Sequence, residues 1–140
     1  MRIILDTVTV SELRKGDKMD GAVREWHETG RGRPANLSVI TMNEILFGIR
    51  KLEGRNDEFA ELLLRWYRTL LAQPEIFPLL GVSLRVAEQA ADFRALLGLS
   101  YNDSFIAATA HAHDLTLATR NISDFEKTGI RLVNPWNFGK

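Results

Sequence analysis

Carboxylates, rather than thiols or imidazoles, are the groups that this sequence places for chemistry. Asp6 ends the apolar run Ile3-Ile4-Leu5, and Glu44 follows Leu37-Ser38-Val39-Ile40 by one short step. Asp103 opens an Ala-rich stretch that runs to His113, and Asp124 comes just after Leu115-Thr116-Leu117-Ala118-Thr119. All four acids fall at a strand end or a helix start. Gathered together, they would repel one another, and a divalent cation would remove that repulsion. Oxygen ligands without His or Cys suit magnesium, or manganese, rather than zinc. The chain has no cysteine, so it has no thiolate nucleophile and no disulfide. His111 and His113 stand two residues apart. On a helix that is ~200° around the axis, so they cannot share one metal. Both read as surface residues, and so does His27.

A second reading of the same acids is local. Thr41-x-x-Glu44 is a capping-box pattern. Ser100-x-x-Asp103 and Asn121-x-x-Asp124 have a similar cap-plus-acid spacing. An acid in the first helical turn is favoured by ~0.3–1 kcal/mol in any case. Cap and ligand are compatible roles, because helix N-termini soften carboxylate repulsion. Asp6 differs: its neighbours are apolar, and a lone carboxylate there is costly unless it is paired or metal-bound.

The elements that must carry these residues alternate. Arg2 to Leu5 reads as a buried strand. Helical stretches follow at Val8–Lys15, stopped by Gly16, and at Gly21–Thr29. Gly30 to Pro34 is a loop. Leu37–Ile40 reads as the second strand, and Thr41 opens a helix to about Leu52. A long helix runs from Asp57 to Gln73, with Phe59, Leu62, Leu63, Trp66, Tyr67, Leu70 and Leu71 in a core-facing rhythm. Pro74 ends it. Ile76–Leu80 is a short strand, Ser83–Leu97 a helix stopped by Gly98, and Asp103–His113 the Ala-rich helix. Leu115–Thr119 and Ile130–Val133 are strands on either side of a helical turn at Ser123–Thr128. Strands alternating with helices predict an α/β fold, a three-layer α/β/α sandwich on a mostly parallel sheet. In such a sheet ligands bind beyond the carboxyl ends of the strands.

The bulk numbers agree with this. A chain of 140 residues with 45% hydrophobic content suits one domain, 1–140. No apolar stretch reaches the ~20 residues of a membrane span. The start is too short before its first acid for a signal peptide. The expected location is the cytoplasm, with no membrane partner. Eighteen basic and eighteen acidic residues give zero net charge. That argues against binding nucleic acid through bulk charge, but allows acids at the centre and bases at the rim.

Taken in order, the motifs resemble the PIN-domain ribonucleases. Leu5-Asp6-Thr7 with Val10-Ser11-Glu12-Leu13 is similar to the family's opening. Ser38-x-Ile40-Thr41-x-x-Glu44-x-x-x-Gly48-Ile49 resembles its second acidic motif, and Asp103-Ser104-x-Ile106-Ala107-Ala108-Thr109-Ala110 its third. Leu115 to Thr119, then Arg120-Asn121-x-x-Asp124-Phe125, resembles the fourth. The ending Val133-Asn134-Pro135-Trp136 is typical of the FitB-like branch of VapC toxins. The likeness covers residues 2–136. It implies a PIN-like fold and a magnesium-dependent ribonuclease, with Asp6, Glu44 and Asp103 holding the metal and Asp124 completing the acidic set. Thr7, Thr119, Asn121 and Arg120 would position water or phosphate. It also implies a homodimer and a cognate, VapB-like antitoxin lying in a groove near Trp26, Phe47 and the long helix. Arg14, Lys15, Arg31, Arg33, Arg50 and Lys51 are candidates for an RNA rim. One departure stands out: the family commonly has Asn after Asp-Thr, and here Val8 stands there. Thr7 or Asn121 is expected to supply the missing hydrogen bond. Val8 also leaves an alternative, a weak or inactive PIN-like domain acting through its partner complex.

Two other classes fit less well. A haloacid-dehalogenase-type phosphatase wants a second Asp where Val8 stands, and a well-placed late Lys. A receiver-like signalling domain wants an acidic pair after the first strand and also a late Lys. Neither is present.

Overall fold

Burial on both faces explains why the first strand is apolar at every position. In the computed structural model, which describes residues 2–140, β1 (Ile3–Leu5) lies fully buried at the centre of a five-stranded sheet. Met1, part of the expected single domain, lies outside the described residues. The strand order is β3-β2-β1-β4-β5, with β2 at Ala35–Ser38, β3 at Leu79–Leu80, β4 at Thr116–Ala118 and β5 at Leu132–Val133. Every pairing is parallel, with Ile3 opposite both Ala35 and Thr116. Successive side chains of a strand point to opposite faces. Ile3 and Leu5 accordingly enter one core with Val10, Trp26 and Ile49, while Ile4 enters the other with Val86, Phe93, Ile106 and Leu117.

The first core is covered by α1 (Thr7–Leu13), α2 (Gly21–Glu28), α3 (Val39–Leu52) and α4 (Asp57–Leu71). The second is covered by α5 (Leu84–Leu97), α6 (Tyr101–Ala112) and the short α7 (Ile122–Phe125). The result is the expected three-layer α/β/α sandwich. Among the described residues no helix is long and apolar enough to cross a membrane.

Several boundaries differ from expectation, and two of them bear on the acids. The second strand ends at Ser38, and Val39-Ile40 already turn into α3. The Ser38 hydroxyl accepts from the Ile40 N–H at 3.0 Å, so this cap outweighs the strand preference of two β-branched residues. Thr41 is then a fully buried helical residue rather than a cap, and Glu44 sits in the second turn rather than the first. In the same way α6 starts at Tyr101, with Ser100 as its cap. His27 is a further correction. It is half-buried and stacked on Phe77, and its Nδ1 is buried without a partner. Burial, with the nearby Arg33 charge, holds its pKa below the ordinary value.

Candidate active site

Parallel strands bring their carboxyl ends to one edge, and the acids meet there. Asp6 follows β1 and is the N-cap of α1, with only 7% exposure. Its Oδ1 accepts from the Thr9 N–H at 2.8 Å and from the Thr9 hydroxyl at 2.6 Å. Its Oδ2 accepts from the Thr119 hydroxyl at 2.6 Å, just past the end of β4. Three donors compensate the burial of this carboxylate and fix its orientation.

Glu44 reaches the same place from α3. The Thr7 hydroxyl donates to its Oε1 at 2.7 Å, tying the first turn of α1 to α3. Asp103 comes from the first turn of α6, where its N–H donates to the Ser100 hydroxyl at 3.3 Å. Asp6, Glu44 and Asp103 line one cavity of about 350 Å³, together with Thr7, Val8, Arg120 and Asn121. Burial raises the Asp103 pKa, and the charges of Glu44, Asp6 and Asp124 raise it further, against the lowering effect of Ser100. The Asp103 carboxyl therefore senses all three other acids.

Asp124 lies outside that main cavity. It faces an adjacent one of about 230 Å³ that Asp103 also borders, beside Ser100 and Lys127. The Asn121 amide donates to Asp124 Oδ2 at 2.5 Å. The Arg120 guanidinium stands 5.1 Å over the Trp136 ring at the rim. Thr119 is fully buried and gives its hydroxyl to Asp6. Its contact with anything in the cavity therefore runs through that carboxylate.

The bond expected from Thr7 or Asn121 to Asp6 comes from elsewhere. Thr7 is engaged by Glu44 and Asn121 by Asp124; Thr9 and Thr119 serve Asp6. Sequence reasoning misses Thr9. Its signal is Asp6-x-x-Thr9, the same cap spacing noted at the other three acids. Val8 is 58% exposed and contributes only an apolar wall to the cavity.

Donor chemistry decides what this site can hold. Oxygen is the only donor at the cavity's acids, which suits a hard divalent cation. Among the described residues no three His, Asp or Glu groups close into a preformed cage. Gaps between the carboxylates suit a cation that keeps much of its water, as magnesium does.

An α/β sandwich with acids gathered at the strand ends is an arrangement that could hold a hard cation. Comparison with known proteins narrows it. The PIN domain family model matches residues 3–130. The VapC ribonuclease Y4jK of Sinorhizobium fredii is 33% identical, over 96% of this chain and 97% of that protein. The FitAcB structure from Neisseria gonorrhoeae superposes with a TM-score of 0.81 at 28% identity, covering 97% of this chain and 99% of that one. A toxin–antitoxin complex from Klebsiella pneumoniae gives 0.64 at 28% identity, with 95% and 97% covered. The chain belongs to the PIN-domain family, in its branch of VapC-type toxins.

Proposed function

We propose that this chain is a magnesium-dependent endoribonuclease toxin, with Asp6, Glu44 and Asp103 as the metal-holding set and Asp124 completing the acidic pocket. The observation that carries the reading is the meeting of three carboxylates, from β1, α3 and α6, on one cavity at the strand ends. When bound, the cation lowers the pKa of a coordinated water and offsets charge that builds on the phosphate. The chain's own residues do the rest. Thr9 and Thr119 hold Asp6, Thr7 holds Glu44, and Asn121 holds Asp124, each through a side-chain donor. Arg120, braced on Trp136, brings positive charge to the rim, where a phosphodiester would enter.

A cognate antitoxin of the VapB kind is the partner in this reading. Phe47 on α3 and Phe59, Leu62 and Leu71 on α4 remain exposed, and they support an apolar docking surface in the region of the early helices. Val8 favours a second reading, a chain that acts chiefly through its partner complex, because it supplies no amide to the cavity.

Cleavage of a mixed pool of short RNAs and tRNAs separates the two. The purified, partner-free chain is expected to cut with magnesium or manganese, and not with chelator, Asp6→Asn or Asp103→Asn. A folded chain that cuts under neither metal would establish the second reading.

A further inference from the structure

Of the six basic residues that are candidates for the rim, four are engaged elsewhere. Arg14 stacks on Phe59 and Trp66, Lys15 pairs with Glu12, Arg50 pairs with Glu53, and Lys51 lies over Phe47. Arg31 and Arg33 are the two that border a cavity. That cavity, about 300 Å³, has Trp26, Val133 and Phe138 for its apolar walls. The loop carrying both arginines is folded tightly over the Trp26 ring. The Gly32 N–H donates to the Trp26 carbonyl at 3.3 Å, and the Arg33 N–H to the Gly30 carbonyl at 3.3 Å. A Cβ on Gly32 would come within 2.6 Å of the Trp26 ring, so the loop has one close fit to its support.

The cavity is continuous in chain terms with the acidic one. Arg120 lines the acidic cavity and stacks on Trp136; Phe138, two residues on, lines this one and carries Arg31 5.6 Å above its ring. Two residues span at most ~7 Å. A line of guanidiniums on aromatic rings thus leads away from the carboxylates.

We propose that the Arg31–Arg33 cavity is a nucleotide subsite for the RNA strand, taking a phosphate between the two guanidiniums and the nucleoside against the Val133–Phe138 wall. The inference rests on the nuclease reading and deepens it. A chain of zero net charge whose reactive centre is acidic needs local positive charge to hold a polyanion beside it. Guanidiniums match phosphate geometry, and arginine planes and aromatic rings both stack with bases.

The test is binding of a short fluorescein-labelled single-stranded RNA of mixed sequence, measured by anisotropy in chelator across a salt series. Arg31→Gln with Arg33→Gln should weaken binding about tenfold at low salt, since charge-assisted contacts are lost. The slope of log affinity against log salt should fall by about 0.7, from the one phosphate held between them. Arg31→Lys with Arg33→Lys should keep most of that slope, because the charges remain. With magnesium, the glutamine pair should lose cleavage mainly through a raised KM. Both side chains are exposed, so the fold is not at risk. Unchanged affinity and slope in the glutamine pair, beside normal cutting by the unaltered chain, overturns the subsite alone and leaves the cavity to a protein partner. Arginine-dependent binding without any cutting overturns the nuclease reading and keeps an RNA site at this cavity. An unaltered chain that neither binds nor cuts RNA overturns both.

Discussion

Replacing Thr119 by valine keeps the shape of the side chain and deletes one hydroxyl. That hydroxyl donates to Asp6 Oδ2 at 2.6 Å and accepts from the Asn121 N–H at 2.9 Å. Asp6 is 7% exposed and Thr119 is fully buried, so water does not readily replace the lost donor. A hydrogen bond to a charged group contributes about 1.5–3 kcal/mol. A cost of about 2 kcal/mol follows, and near this chain length each kcal/mol moves Tm by about 2–4 °C. Thr119→Val should therefore melt about 4–8 °C lower in chelator at neutral pH, and Thr119→Ser should recover most of the difference. The decisive measurement is a double-mutant cycle with Asp6→Ala. If the hydroxyl works through the carboxylate, the valine costs far less once Asp6 is gone, giving a coupling of about 1–2 kcal/mol. Additivity within about 0.5 kcal/mol would mean that Thr119 stabilises the strand end by itself, and would refute its role as a support of Asp6.

Three more outcomes are expected. The Asp103 pKa is raised above its ordinary 3.8, so ionisation of this group opposes folding; the penalty is absent below 3.8 and complete above the raised value. Asp103→Asn should thus abolish cutting yet raise the Tm of the metal-free chain at neutral pH. The gain should close as pH falls through the raised value, and scanning fluorimetry across pH would contradict this by showing a lower Tm at neutrality. The His27 pKa is held below its ordinary 6.5, so its neutral form belongs to the fold. Stability is then full above 6.5 and lost as pH falls towards the depressed value, and His27→Gln should flatten that loss in urea titrations run at several pH values. Gly32→Ala would press a methyl to within 2.6–2.8 Å of Trp26 ring carbons, and should cost about 1–3 kcal/mol by the same titration.

Much of the frame is legible in the sequence because its signals are local and strong. β1 shows itself as an apolar run and Gly98 as a left-handed stop at φ 73°, whereas of the stripe expected on α4, Leu70, Leu63, Trp66 and Tyr67 meet the core but Phe59, Leu62 and Leu71 are exposed. The three acids that share the main cavity are legible too, since Asp6 ends a strand and Glu44 and Asp103 lie early in their helices. The errors lie where two local rules compete. Val39 and Ile40 have strand-forming side chains, but the cap bond to Ser38 makes them helical. That moves Glu44 one turn along the helix, to where Thr7 reaches it. Partner choices among hydroxyls and amides are not legible. Thr7, Thr9, Thr119 and Asn121 all stand near acids in sequence or topology, and only the packed geometry assigns Thr9 and Thr119 to Asp6. The basic residues are illegible for a similar reason: their locations depend on which aromatic ring or acid each meets.

The position of β1 at the centre of the sheet also sets an order of assembly. Its other flank is β4, so Ile3 waits for Thr116 and Asp6 waits for Thr119. During synthesis residue 6 is added more than ninety residues before its second support and the α6 carboxylate. Such long-range parallel pairing is slow to form. A nascent or interrupted chain that stops before β4 carries Asp6 and Glu44, but neither the Thr119 bond nor Asp103 when it ends earlier still. The topology therefore acts as a timer: the acidic centre is completed only once β4 and Thr119 have been made.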